Sequence, residues 1–82
     1  MNDEINQVNE IFEDLLDDSS VSKNIKIKIN SMKKDLKNSN EQEMSLTANK
    51  IIYDLEELSN DVNLPAHIRT QLFLITSTLE RL

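Results

Sequence analysis

The sequence predicts an all-α fold, a four-helix up-and-down bundle built from two similar helical hairpins. Three observations carry that prediction. Glycine is absent and proline occurs once, at Pro65. Strand-rich folds usually need these residues at tight turns, so helices joined by short polar loops fit better. Apolar residues recur at helical spacing in four separate stretches. The apolar pattern of the first half then returns in the second half at a shift of 43 residues.

Each element has its own signal. Ile5, Val8, Phe12 and Leu15 follow i, i+3, i+7, i+10, which is one helical face and predicts a helix over 3–17. Asp18-Ser19-Ser20 makes a polar bend, and Ser22 suits the start of a second helix over 22–37. Ile25, Ile29, Met32 and Leu36 give that helix its apolar face. Within it, Ile25-Lys26-Ile27-Lys28-Ile29 alternates as a strand does. Its counterpart Ile68 to Leu72 does not alternate, and the longer window is helical, which leaves Ile27 off the main face. The apolar-free run Asn38 to Glu43 predicts a linker over 39–44 between hairpins 1–38 and 45–82 of a single domain, 1–82. Ser45 is the expected cap of a third helix over 45–60, with Ala48, Ile51, Leu55 and Leu58 on its face. Asp61 opens the second bend, and Pro65 falls in the first turn of a fourth helix over 65–81, where its missing N–H would lack a partner anyway. Ile68, Leu72, Ile75 and Leu79 line that helix.

The repeat aligns these faces. Ile5 falls on Ala48, Val8 on Ile51, Phe12 on Leu55, Leu15 on Leu58 and Val21 on Leu64. Ile25 falls on Ile68, Ile29 on Leu72, Met32 on Ile75 and Leu36 on Leu79. The expected core is Ile5, Val8, Phe12, Leu15, Ile25, Ile29, Met32, Leu36, Ile51, Leu55, Leu58, Ile68, Leu72, Ile75 and Leu79.

Composition excludes several functions. Without glycine there is no Walker loop and no dinucleotide fingerprint. Without cysteine there is no disulfide and no zinc–thiolate site, which fits a reducing compartment. The longest apolar run, Leu72 to Ile75, is far too short for a bilayer. The acidic N-terminal segment lacks the basic and apolar parts of a signal peptide. A cytoplasmic protein with no membrane partner is the expectation.

Two resemblances add to this. The segments Asp18-Ser19-Ser20-Val21-Ser22-Lys23-Asn24-Ile25 and Leu58-Ser59-Asn60-Asp61-Val62-Asn63-Leu64-Pro65-Ala66-His67-Ile68-Arg69-Thr70 resemble an uncharacterised family of small archaeal all-helical proteins. That resemblance implies an archaeal source and a bromodomain-like four-helix bundle, and it implies no activity. A proline usually stands in that family where this chain has Ser22. More loosely, Asp61 followed by Ile68-Arg69, and Asp18 followed by Ile25-Lys26, are similar to the turn of HEAT-type repeats.

Candidate site residues are few. His67 and Arg69 could in principle serve as base and anion ligand at a helix start, but no nucleophile signature accompanies them, and decoration of the surface is the simpler account. Asp14, Asp17 and Asp18 share a helix end, yet no glycine-bent loop completes a calcium site, so no metal and no cofactor are expected. Five lysines, Lys23, Lys26, Lys33, Lys34 and Lys37, fall within about a 100° arc of the second helix. The first helix region carries seven acids and no base, so the two helices read as charge-complementary neighbours. Ile27, Tyr53, Phe73 and Leu74 lie off the main apolar faces and are candidate partner-surface residues. The expected function is a protein-binding or scaffold module without catalysis, its partner an unknown protein or a second copy. The alternative is RNA or ribosome association through the lysine-rich second helix, which the net charge of −6 opposes at long range.

Overall fold

The computed structural model describes residues 3–82 and is built of four helices: α1 (Asp3–Asp17), α2 (Lys23–Asn38), α3 (Met44–Ser59) and α4 (Ala66–Leu79). They form a closed ring. α1 packs on α2 and α4, and α3 packs on the same two neighbours. Short connections between sequential, touching helices make the arrangement up-and-down. The bundle measures 36 × 21 × 18 Å, with a radius of gyration of 11.9 Å, close to the roughly 12 Å expected for a compact chain of this length. Among the described residues no helix is long and apolar enough to cross a membrane.

The four faces meet in one core. Val8, Phe12, Leu15, Ile29, Ile51, Leu55, Ile68, Leu72 and Ile75 are wholly inaccessible, and Met32, Leu36, Leu58 and Leu79 nearly so. Each such large side chain contributes roughly 1.5–3 kcal/mol before its entropy cost is counted. Ile5 and Ile25, expected in the core, are only partly covered. Both lie in the first turn of a helix, where the ends of the bundle open. Val21 and Leu64 are buried as well, so each hairpin tucks one apolar residue of its turn under the bundle end. Thr78 is the buried polar side chain among the described residues, and its hydroxyl donates to the Leu74 carbonyl at 2.8 Å. No buried side-chain nitrogen or oxygen among them lacks a partner.

Helix starts are made in different ways. Ser22 caps α2, accepting from the Ile25 N–H at 3.3 Å. Ser45, the expected cap of α3, lies inside the helix, which begins at Met44. The device there is reciprocal. The Glu43 N–H donates to Asn40 Oδ1 at 2.9 Å, and the Asn40 N–H donates to Glu43 Oε1 at 3.4 Å. That pair has the form of a capping box on Asn40-x-x-Glu43, a spacing visible in the sequence, and closes the turn that leads into α3, whose own N-cap residue, Glu43, makes no side-chain bond to the helix start. Pro65 occupies the N-cap position of α4, and its carbonyl accepts from the Ile68 and Arg69 N–H groups, each at 3.1 Å.

Candidate functional site

Both hairpin turns lie at one end of the bundle and share one backbone design. In the first, the Asp18 N–H donates to the Leu15 carbonyl, and the Val21 N–H to the Asp18 carbonyl. In the second, the Asp61 N–H donates to the Leu58 carbonyl, and the Leu64 N–H to the Asp61 carbonyl. Each aspartate also accepts, through Oδ1, the N–H two residues on: Ser20 at 2.8 Å and Asn63 at 2.9 Å. These side chains do the bending that glycine does elsewhere. No described residue has a positive φ.

The turns differ in what holds them from outside. Arg69 reaches back to its own turn, donating to the Ser59 carbonyl at 3.2 Å and the Asp61 carbonyl at 2.9 Å. His67 reaches across to the other hairpin. Its Nε2 lies 3.0 Å from Asp18 Oδ2 and 3.2 Å from Ser20 Oγ. The reading of His67 as surface decoration is therefore corrected: it is exposed, but it joins α4 to the α1–α2 turn. Sequence spacing carried no sign of this, because its partners lie 47 and 49 residues away.

Serine, histidine and aspartate together suggest nucleophilic catalysis, but the geometry does not support it. A hydrolytic triad needs the carboxylate on Nδ1 and the hydroxyl on Nε2. Here both partners meet Nε2, and the Ser20 hydroxyl donates to Asp18 Oδ1 at 2.6 Å. Hydroxyl and carboxylate thus share one ring nitrogen, and the hydroxyl proton is directed at Asp18. The two Ser20 bonds, with His67 adding to them, hold the Asp18 carboxyl down from 3.8 to about 2. Both Asp18 carboxylate oxygens are engaged by Ser20 and His67, and no group of three metal-binding side chains converges among the described residues.

The lysine flank is largely free. On the helical period Lys23, Lys26, Lys33, Lys34 and Lys37 occupy the outer face of α2 and its flank towards α1. Lys33 pairs with Glu13, and Lys50 of α3 pairs with Asp35 on the opposite flank at 3.4 Å. Among the described residues Lys23, Lys26, Lys34 and Lys37 have no carboxylate partner. The expected pairing of α2 with the acidic α1 is realised at that one place. The reason is angular: Glu10 lies in the groove between α1 and α4, so acids on α1 are spread around the helix rather than gathered on its α2 side.

The four off-face apolar residues do not form one patch. Ile27 is 58% exposed on the outer face of α2, among the lysines. Tyr53, 62% exposed, lines a groove of about 470 Å³ between α2 and α3, whose floor is Met32 and Leu58 and whose walls carry Asp35, Asp54, Glu57, Asp61 and Lys28. The Glu57 carboxylate beside it pushes the Tyr53 hydroxyl above its ordinary value. Leu74 lies on the far side of the ring, in the groove with Ile11 and Thr78 between α1 and α4. Phe73, 67% exposed, follows on the other flank of α4. Leu46 and Val62, which no periodicity singles out, are exposed too.

The comparisons with known proteins span nearly the whole chain but add no chemistry. The chain is 34% identical over 79 residues to a UPF0147 protein of Methanothermobacter thermautotrophicus, covering 96% of this chain and 76% of that one. It is 38% identical over 76 residues to one of Methanosarcina mazei, covering 93% and 81%. It is 35% identical over 78 residues to one of Archaeoglobus fulgidus, covering 95% and 87%. All three are archaeal. No solved structure matches the chain. The family model described as "Uncharacterised protein family (UPF0147)" matches residues 1–82 from end to end, and the chain belongs to that family.

Proposed function

We propose that the protein is a non-catalytic binding module whose partner is another protein. One observation carries this reading. Large apolar side chains stand exposed on the outer faces of a bundle whose interior is otherwise filled and polar-satisfied. Exposed Ile27, Tyr53 and Phe73 are three separate points at which contact with a partner would remove apolar surface from water. Enzymes of small substrates work in enclosed, convergent pockets. The grooves of this bundle are open, and its Ser–His–Asp cluster is tied up in holding the α1–α2 turn. The test is affinity capture from the native host with the wild type and with Ile27→Ser, Tyr53→Ser and Phe73→Ser. A protein retained by the wild type and lost by one folded variant supports the module. Identical retention by all four would remove it.

A second reading, association with RNA or the ribosome, is favoured by the four lysines that lack carboxylate partners. A basic stripe is the electrostatic footprint of phosphate contact. Replacing Lys26, Lys34 and Lys37 by Gln should then weaken RNA retention and flatten its salt dependence. Unchanged retention would end that reading.

A further inference from the structure

We propose that the outer face of α2 takes an acidic segment of another protein, with one apolar side chain of that segment set against Ile27. The proposal rests on the binding-module reading and names the chemistry of its partner. It starts from the way charge is divided along the chain. α2 carries six lysines and a single acid, Asp35. The chain as a whole stands at −6, and fourteen of its fifteen acids lie outside this helix. On the helical period Lys23 and Lys34 share the ridge with Ile27, and Lys37 and Lys26 follow towards α1. None of these four lysines has a carboxylate partner among the described residues. Lys23, Lys34 and Lys37 are exposed, and Ile27 stands 58% exposed between the levels of Lys23 and Lys34.

The fold itself does not require this face. At the repeat of 43 residues Lys23, Ile27, Lys34 and Lys37 fall on Ala66, Thr70, Ser77 and Glu80 of α4. Lys26 falls on Arg69, which is occupied in holding its own turn. α4 therefore completes an equivalent hairpin without the basic row. The row also works against its own helix. Lys23 stands in the first turn of α2, where the helix dipole is positive, and that turn holds no acid. Lys33 and Lys37 are four residues apart and Lys34 and Lys37 three, so they are neighbours on one helix face whose like charges repel. Local conflicts of this kind gather at functional positions. Carboxylates supplied by a partner would relieve both.

Anionic partners differ in what they could use here. RNA would find neither an arginine fork nor a stacking ring on α2, and nothing in it needs Ile27. RNA is also long, and the α2–α3 groove beside the ridge presents Asp35, Asp54, Glu57 and Asp61 against the single base Lys28. A polyanion running off α2 on that side meets those acids and is repelled. A lipid surface could take up only one isolated apolar side chain, which buries little area. A short carboxylate-bearing segment stays within the basic face and gives Ile27 a contact. Exposed ion pairs contribute little each, so the lysines select and orient the segment while Ile27 anchors it.

Photo-cross-linking from the face tests the proposal. The chain has no cysteine, so Ile27→Cys provides a unique thiol for a benzophenone maleimide, which is itself apolar. The labelled full chain is illuminated in extract of the native host, and the linked material is identified by mass spectrometry. The expected link is to a protein segment in which Asp and Glu outnumber Lys and Arg. A synthetic peptide of that segment should bind the unlabelled wild type. Changing Lys23, Lys26, Lys34 and Lys37 together to Gln should weaken that binding by roughly tenfold or more, the combined loss of several exposed pairs. These lysines hold no carboxylate in the fold, so the variant should stay folded by circular dichroism. If it does not, Lys34→Gln with Lys37→Gln replaces it and should weaken binding by a smaller factor. Poly(U) and phosphatidylglycerol vesicles are titrated beside the peptide, and tighter binding of either overturns the proposal. So does a link to nucleotide, to lipid, to a second copy or to a segment without acidic excess. No link at all, or a peptide bound equally by wild type and Gln variant, overturns it as well. The module fails separately: a captured protein lost by Tyr53→Ser or Phe73→Ser but kept by the Gln variant leaves the module standing and removes this partner.

Discussion

The two turns of this bundle have the same backbone and different guardians. Leu58-to-Leu64 is held by Arg69 of its own hairpin, through two main-chain carbonyls. Leu15-to-Val21 has Lys26 at the position equivalent to Arg69, and the Lys26 side chain makes no hydrogen bond to the turn. That turn is held instead by His67 of the other hairpin, while the equivalent of His67 is Asn24. One copy of the repeat closes on itself, and the other is closed by its twin. The comparison shows how two similar units become one body: the matched apolar faces bring them together, and a few unmatched polar positions tie them.

The largest test of that comparison lies beneath the turns. Ile75 is fully enclosed, whereas its counterpart Met32 also floors the open α2–α3 groove. Ile75→Asp should abolish folding, because an unpaired charge there exceeds what a marginally stable domain can absorb. Ile75→Ala should cost about 3–4 kcal/mol, and Met32→Ala nearer to about 2 kcal/mol, since a groove-side cavity can be filled by water. Chemical denaturation followed by circular dichroism measures all three, and equal losses at the two alanine variants would contradict the asymmetry.

A smaller effect distinguishes the guardians. Arg69→Ala should destabilise by about 1 kcal/mol through two lost hydrogen bonds, and Lys26→Ala by much less. If the two substitutions matched in denaturant midpoint, the self-closing turn would lose its explanation.

The smallest effect is in acid. Asp18 titrates at about 2 in the folded protein against 3.8 ordinarily. The unfolded chain therefore binds more protons between those values. The stabilisation is complete above about pH 4 and disappears as pH falls towards 2. Asp18→Asn should flatten that part of the melting-temperature profile, and Ser20→Ala should flatten most of it, because the Ser20 bonds are the leading cause. A profile unchanged by both would show that the bonds do not form in solution.

Much of the fold is legible in the sequence. The four helices and the alignment of Val8 with Ile51 or Ile29 with Leu72 follow from period alone, because burial is decided by which face a residue occupies. The start of α3 is legible too, in Asn40-x-x-Glu43, although Ser45 is the more conspicuous capping residue. The His67–Asp18 bond is not legible, since its partners meet only once both hairpins are folded and docked. Nor is the isolation of the lysines. Counting acids on α1 yields their number, but the side of α1 that faces α2 is set by packing, and Glu13 is the acid seen to use it.

The absence of glycine, a clue to helices, also has a thermodynamic side. Replacing glycine by another residue where geometry allows typically stabilises a protein by about 0.4–1 kcal/mol, by limiting the freedom of the denatured chain. This chain turns both hairpins with aspartates and ordinary backbone angles, so its disordered form has no maximally floppy joints to give up. A fold of 82 residues without sulfur bridges can then stand on a modest core, because it has less disorder to overcome.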